Sequence, residues 1–433
     1  KSYNKLREQI SLQTKEKNFP LAIHNTLKKI NESFMAFFTQ GVWFEKLNFR
    51  YFGQVDGHNI KDLVSLLKVA KSLNGPVLIH IATQKGRGYS PAEGNALSYH
   101  GVSAFERKSG KQIKGKVEGR SYTSIWSECF DRIMEEDEKT VGISAAMLGN
   151  TGLAPLQVKY PERIFDVGIA EGHAVTFAGG LATEKIKPFV VVYSTFLQRA
   201  FDHIVHDIAL QKLPVRFILD RAGFVGPDGA THHGLLDMSY LRMIPNMVIM
   251  APKDGKELQR MVQFAHCYDE GPIALRFPRG NTDEYYALAQ DNIPELPFGK
   301  GELLQSGTDF LLLAAGSMVK TACCIAEKLQ AKGFSIGIIN ARFIKPLDGK
   351  LILEEVTKVK YIATLEENAK AGGFGSGILE FLSEQEVYKP VIQFGAPDHF
   401  IEFATPEQQL EEAGLDAESI TAKLEHFWNQ YNP

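Results

Sequence analysis

Apolar and polar positions alternate along this chain in two rhythms. Between about residues 120 and 290, continuous apolar runs alternate with stretches whose apolar positions recur at helical spacing. The runs Val141 to Met147, Ile164 to Ile169, Phe189 to Ser194, Val215 to Asp220, Val248 to Pro252 and Ile273 to Phe277 read as strands. Thr123 to Glu136, Gly172 to Glu184, Phe196 to Gln211 and Gly255 to His266 read as the helices between them. Apolar strands separated by helices predict a parallel sheet covered on both faces.

A shorter α/β pattern follows from 298 to 433. Its strands are Phe310 to Ala315, Ser335 to Ala341, Val359 to Leu365 and Val391 to Gly395; its helices are Met318 to Lys332, Gly377 to Gln385 and Ala417 to Trp428. The first 105 residues are different. They offer one helix, Asn59 to Leu73, one strand, Val77 to Thr83, and a polar helical pattern from Tyr3 to Lys17. One helix–strand pair closes no core of its own, so this region reads as part of a domain. The Lys/Gly/Ser-rich stretch 106–119 reads as a solvated linker. The expected organisation is therefore 1–105, a linker 106–119, a central α/β domain 120–295 and a last α/β domain 298–433, near the three domains that 433 residues suggest.

Composition narrows the function. Lys and Arg number 48 against 51 Asp and Glu, a formal charge of −3, and no segment is strongly basic. A protein that binds nucleic acid by neutralising phosphates needs such a segment, so nucleic acid is not an expected partner. No apolar run reaches the ~18 residues of a membrane helix, so no membrane is expected either. The four cysteines, Cys129, Cys267, Cys323 and Cys324, have no metal-ligand spacing and form no disulfide framework, which suits a reducing compartment. The chain opens Lys1-Ser2-Tyr3 without a signal peptide's apolar core, and reads as beginning inside a longer protein.

The common catalytic signatures are missing. There is no G-x-x-x-x-G-K-[ST] phosphate loop, no H-E-x-x-H and no G-x-S-x-G. Gly372-Gly373-Phe374-Gly375-Ser376-Gly377 reads as a tight helix-opening turn or as an anion seat.

Chemistry-bearing residues gather instead where strands end, which is where open α/β sheets hold ligands. Asp166 to His173 puts Glu171 at a helix start, as a plain dipole-favoured carboxylate or as an acid for proton transfer. Tyr193 to Arg199 offers Tyr193 and Phe196 as core aromatics or as a platform. Asp220-Arg221-Ala-Gly223 leads into a glycine-rich loop with Asp228, Thr231, His232 and His233. Arg276 and Arg279 follow the next strand and read as a fork for phosphate or carboxylate. Upstream, Lys85 to Tyr89 and Tyr99-His100-Gly101 follow the strand at 77–83. Arginines, an acid, histidines and flat aromatics suit an anionic, oxygen-rich small molecule.

These strings, with Tyr51-Phe-Gly-Gln-Val-Asp56-Gly-His58 and Ile169-Ala-Glu171-Gly-His173-Ala-Val-Thr-Phe177, resemble the thiamine-diphosphate-dependent transketolase superfamily from about residue 40 onward. The resemblance implies an α/β parallel-sheet thiamine-diphosphate-binding fold: a central pyrimidine-binding domain, a transketolase-type C-terminal domain, and in 1–105 the tail of a pyrophosphate-binding domain. The superfamily's Gly-Asp-Gly motif with its following Asn, and its first active-site histidine, have no counterpart here. Ligands for Mg²⁺ are therefore expected outside this sequence. Two further departures are Gly172 and His233, where glutamine is common.

Within the superfamily, the likeness is to the branch that condenses pyruvate with D-glyceraldehyde 3-phosphate, losing carbon dioxide. The product, 1-deoxy-D-xylulose 5-phosphate, feeds isoprenoid, thiamine and pyridoxal synthesis. By that resemblance Glu171 pairs with the cofactor's aminopyrimidine nitrogen, Phe196 stacks on that ring with Ile169 beside it, and Lys85 lies near the diphosphate. His100 and His232 face the reacting carbons. Tyr193, Arg221, Asp228 and Arg279 hold the phosphorylated aldehyde, and Arg199 lines the same region. The resemblance also implies a homodimer, in bacterial cytoplasm or plastid stroma, and a chain inactive on its own. The alternatives are another member of the superfamily, or a non-catalytic scaffold derived from it.

Overall fold

The computed structural model describes residues 41–96, 98–102, 104–113, 119–282, 284–286 and 293–431. The helical pattern at 3–17 lies outside them. The chain divides into two compact units, 1–117 and 118–433, each taken by itself below.

In the first unit, Arg50–Asp56 and Val77–Ala82 form a two-stranded parallel sheet, joined by the helix Ile60–Lys71. The first of these strands escaped the sequence reading because Gly53, Gln54 and Asp56 interrupt its apolar pattern. None of its residues is buried, nor is any in the helix. Residues 104–113, expected to be partly linker, fold back on themselves. Glu106 N–H donates to Lys111 O and Ile113 N–H to Ala104 O, both at 2.8 Å. Tyr89, Tyr99 and Phe105 pack edge-on or tilted beside this reversal.

The second unit carries two sheets. The larger has seven strands in the order Phe343–Lys345, Val248–Met250, Ile273–Pro278, Arg216–Ala222, Lys187–Tyr193, Thr140–Ser144, Ile164–Asp166. All pairings are parallel except the first. Alternation explains how both faces are buried. Val190 and Val192 point to one core with helix Glu171–Thr183, while Phe189 and Val191 point to another with Trp126, Phe130 and Met261. Trp126 and Phe130 stack at 4.8 Å, and Phe189 closes on Phe130 at 4.8 Å.

The second sheet runs Glu302–Gln305, Ile336–Asn340, Phe310–Ala314, Tyr361–Ala369, Val391–Ala396, with only its first pairing antiparallel. The last domain also lends strand Phe343–Lys345 to the larger sheet, so the two domains are interlocked. That exchange was invisible in the sequence, because three residues carry no periodicity. The long helix expected over Phe196 to Gln211 is broken into a short α-turn, a 3₁₀ turn, another α-turn and a π-helical segment, Ile204–Ala209. The glycine cluster opens the helix Phe374–Glu384, and its anion seat is filled from within. The Glu366 carboxylate accepts the Phe374 and Gly375 amides at 2.7 and 2.8 Å. Burial pushes the Glu366 carboxyl up to about 7, against the pull of those amides.

Candidate active site

Three neighbouring strands, Lys187–Tyr193, Arg216–Ala222 and Ile273–Pro278, end side by side and set the site. The middle one carries one extra residue against its neighbour, between the pairs Leu219–Arg276 and Ala222–Pro278. Such a bulge re-aims side chains. Arg221 sits in it with φ +61°, the left-handed region that a long side chain rarely occupies. Strain of this kind, worth about 1–3 kcal/mol, gathers where a side chain's direction matters.

The Arg221 guanidinium is placed over the ring of buried Tyr193. It donates to Asn150 O at 3.0 Å and meets Asp220 Oδ2 at 3.1 Å. Asp220 is fully buried, accepts Thr123 Oγ1–H at 2.7 Å, and leaves Oδ1 unpartnered. Burial raises the Asp220 carboxyl, and Arg221 opposes it. Burial likewise pushes the Tyr193 phenol up to about 12, with Arg221 opposing, so it stays a neutral hydroxyl. Phe196 stacks on Tyr193 at 5.7 Å, and His232 meets Phe196 edge-on at 5.4 Å. Thr231 Oγ1 is 2.8 Å from His232 Nδ1.

Arg279 and Asp228 complete this cluster. Arg279 Nη1 donates both to Val225 O at 2.8 Å and to Asp228 Oδ2 at 2.7 Å. Its Nε and Nη2 have no partner among the described residues, so donors remain for an oxyanion. Asp228 faces Tyr193 electrostatically as well, as one of the charges acting on its phenol.

The expected arginine fork does not form. Arg276 is 4% exposed. Its Nε pairs with buried Asp237 at 2.8 Å, and its Nη2 donates to Gly234 O and Glu367 O at 3.2 and 3.1 Å. Nε and Nη2 are both engaged, and Nη2 ties the sheet to the last domain. Sequence spacing cannot tell two arginines three residues apart in this way, because the acceptors of Arg276 lie 39 to 91 positions away along the chain.

Glu171 forms a second centre. It is the first residue of helix Glu171–Thr183 and only 2% exposed. Arg199 Nη1 donates to its Oε2 at 2.6 Å, so Arg199 joins Glu171 rather than the Arg221–Arg279 cluster. Oε1 has no partner among the described residues. Ile169, two residues before, is 78% exposed. The bare Gly172 is filled by a neighbour, since a Cβ there would come 2.7 Å from the His203 ring. His233, the other departure, is buried between Val225 and Ile401.

Lys85 and His100 belong to the first unit, in exposed positions after strand Val77–Ala82. Among the described residues no group of three or more His, Cys, Asp or Glu is placed to hold a metal ion. Residues that the sequence reading did not single out for this site include Thr123, Asn150 and Gln409. Nothing in local spacing marks them.

Three family profiles match the chain. "Transketolase, pyrimidine binding domain" matches 118–284, "Transketolase, C-terminal domain" matches 299–420, and "1-deoxy-D-xylulose-5-phosphate synthase" matches 1–83. Among similar proteins, the 1-deoxy-D-xylulose-5-phosphate synthase of Rippkaea orientalis is 47% identical over 91% of this chain. That of Syntrophotalea carbinolica is 44% identical over 92%. The chain spans 62% and 63% of their lengths. Among solved structures, a split-gene transketolase described as an inactive beta4 tetramer has a TM-score of 0.62 at 29% identity. It is matched over 98% of its length and covers 71% of this chain. A Pichia stipitis transketolase in complex with sedoheptulose 7-phosphate shares the fold, with a TM-score of 0.58 at 17% identity over 73% of this chain and 47% of its own.

Proposed function

Because the chain belongs to the 1-deoxy-D-xylulose-5-phosphate synthase family of the transketolase superfamily, we propose that it supplies the pyrimidine-binding and C-terminal domains of a thiamine-diphosphate-dependent transferase. Its reaction is the decarboxylative condensation of pyruvate with D-glyceraldehyde 3-phosphate. The observation that carries this reading is Arg279. One nitrogen is fixed to Asp228 and Val225, the remaining donors have no partner among the described residues, and the strand that Arg279 follows pairs with the one that carries Arg221. That is an acceptor-phosphate pocket.

The residues fit the pyrimidine half of thiamine diphosphate. Glu171 offers a buried carboxylate with one oxygen open, and half-buried Phe196 offers a flat face. When bound, thiamine diphosphate supplies an electron sink for decarboxylation. With the cofactor bound, Glu171 would hydrogen-bond the pyrimidine nitrogen and so govern a proton there. His232 would orient the reacting carbons and exchange protons with their oxygens. Arg221, Arg279 and Tyr193 fix the acceptor by its phosphate, which turns its aldehyde toward the reacting centre. Mg²⁺ would be held by residues other than those described. We also read the enzyme as a homodimer of the bacterial cytoplasm or plastid stroma, and these 433 residues alone as inactive. The bacterial relatives support the first compartment; no described helix is long and apolar enough to cross a membrane.

The test is an assay of the intact enzyme with pyruvate plus glyceraldehyde 3-phosphate against a ketose phosphate donor, beside the 433-residue chain alone. Product from the first pair only, and none from the chain alone, is expected. Turnover of the ketose phosphate would assign another superfamily reaction. No turnover with either, in an enzyme that binds thiamine diphosphate, would favour a scaffold.

A further inference from the structure

We propose that Gln409, far away in sequence on the last domain, is a positioning residue for the acceptor-phosphate pocket. This rests on the reading of Arg279 and Asp228 given above. The loop after strand Arg216–Ala222 carries Asp228, and Val225 O holds Arg279. Gly226 lies between them with φ +69°, so this loop follows a path that neither strand nor helix would hold. What holds it comes from 402–409. The Gln409 side chain is wholly buried. Its Oε1 accepts Gly226 N–H at 2.8 Å, and its Nε2 donates to Gly226 O and Glu402 O, each at 2.9 Å. Both amide hydrogens and the oxygen are used, and Gly226 is gripped through both of its backbone groups.

The grip itself is anchored. Gln409 lies in the helix Pro406–Ala413, whose start is fixed by a reciprocal cap between Thr405 and Gln408. Pro406 packs on Gly226, and Phe403 covers Gly229, where it leaves no room for a Cβ. His233 adds a second tie. Its Nδ1 accepts Val225 N–H at 3.2 Å, and its Nε2 faces Ile401 O at 3.1 Å. The last domain therefore sets the height of Val225 and Asp228, and through them the direction of Arg279. A misplacement of about 1 Å in such a residue is enough to change turnover a hundredfold.

The experiment compares Gln409→Leu and Gln409→Asn with Arg279→Ala in the intact, cofactor-loaded enzyme. Gln409→Asn keeps the amide but draws it back by one methylene without burying a charge, so it stands if the leucine variant fails to fold. The expected result is a KM for glyceraldehyde 3-phosphate raised about tenfold or more, with KM for pyruvate unchanged. Deuterium exchange of the 225–229 amides should quicken in the same variants, with or without substrate. An unchanged aldehyde KM in folded Gln409 variants, with Arg279→Ala raising it, overturns the positioning role alone. If Arg279→Ala also leaves it unchanged, the phosphate pocket falls and this inference with it.

Discussion

The Arg221 guanidinium lies 4.1 Å from the centre of the Tyr193 ring. The two residues end adjacent parallel strands, and Arg221 reaches the ring from a backbone that only a bulge allows. The ring therefore holds the cation in place, on the strand next to the one that Arg279 follows. A cation–ring contact of this kind is worth about 0.5–2 kcal/mol. Tyr193→Leu should weaken use of glyceraldehyde 3-phosphate by roughly two- to thirtyfold. Tyr193→Phe, which keeps the ring, should lose less. Steady-state KM values for the aldehyde decide it. Equal losses in both variants would assign the effect to the hydroxyl.

Glu171→Gln gives a second check. Glutamine keeps the size of the side chain and still accepts from Arg199, so the helix start should survive. The negative charge proposed to serve the pyrimidine nitrogen goes. Turnover should fall by about 10²–10⁴, as for loss of acid–base help generally, while the melting temperature barely moves. Near-normal turnover would remove Glu171 from the mechanism.

The sequence was most legible where burial is two-sided. The run Phe189-Val190-Val191-Val192 is apolar because alternate residues face two cores, and such runs announce a central parallel strand. Arg221 and Tyr193 were legible as candidates because they stand at the ends of such strands. Gln409 was not, since its meaning depends on Gly226, 183 positions earlier. The breakage of the Phe196–Gln211 helix was also hidden. Its apolar spacing is helical throughout, and nothing in it marks where the 3₁₀ turn and the π-helical segment fall. Strand Arg50–Asp56 was missed because none of its residues is buried, so it has no apolar face to show.

His233 predicts a pH dependence of stability. Burial lowers its pKa below the ordinary value, with His232 adding to the effect and the Ile401 carbonyl opposing. The folded protein needs Nδ1 unprotonated to accept Val225 N–H. Below about pH 6.5, the ordinary histidine value, the unfolded chain takes up a proton that the folded one refuses. Stability is then lost as pH falls from there toward the lower folded value. His233→Gln keeps an acceptor and a donor but does not titrate. The gap in melting temperature between wild type and His233→Gln should shift in favour of the variant between pH 7.5 and 5.5. A gap constant across that range would mean His233 titrates alike in both states.

Arg276 and Arg279 stand three residues apart and should respond in opposite ways. Arg276 is buried against Asp237, which is itself 1% exposed. Removing one partner of such a pair strands the other charge, at a cost of about 3–5 kcal/mol. Arg276→Ala should therefore lower the melting temperature sharply or prevent folding, whatever the substrate. Arg279 is 39% exposed in its side chain and pairs with a half-exposed Asp228, a contact worth only about 0–1 kcal/mol to the fold. Arg279→Ala should leave the melting temperature nearly unchanged. Its effect should appear as a raised KM for the phosphorylated aldehyde, far larger than for pyruvate. A variant of Arg276 that folds normally and binds the aldehyde poorly would restore the two-arginine fork. It would mean that the Asp237 pair opens when the phosphate arrives.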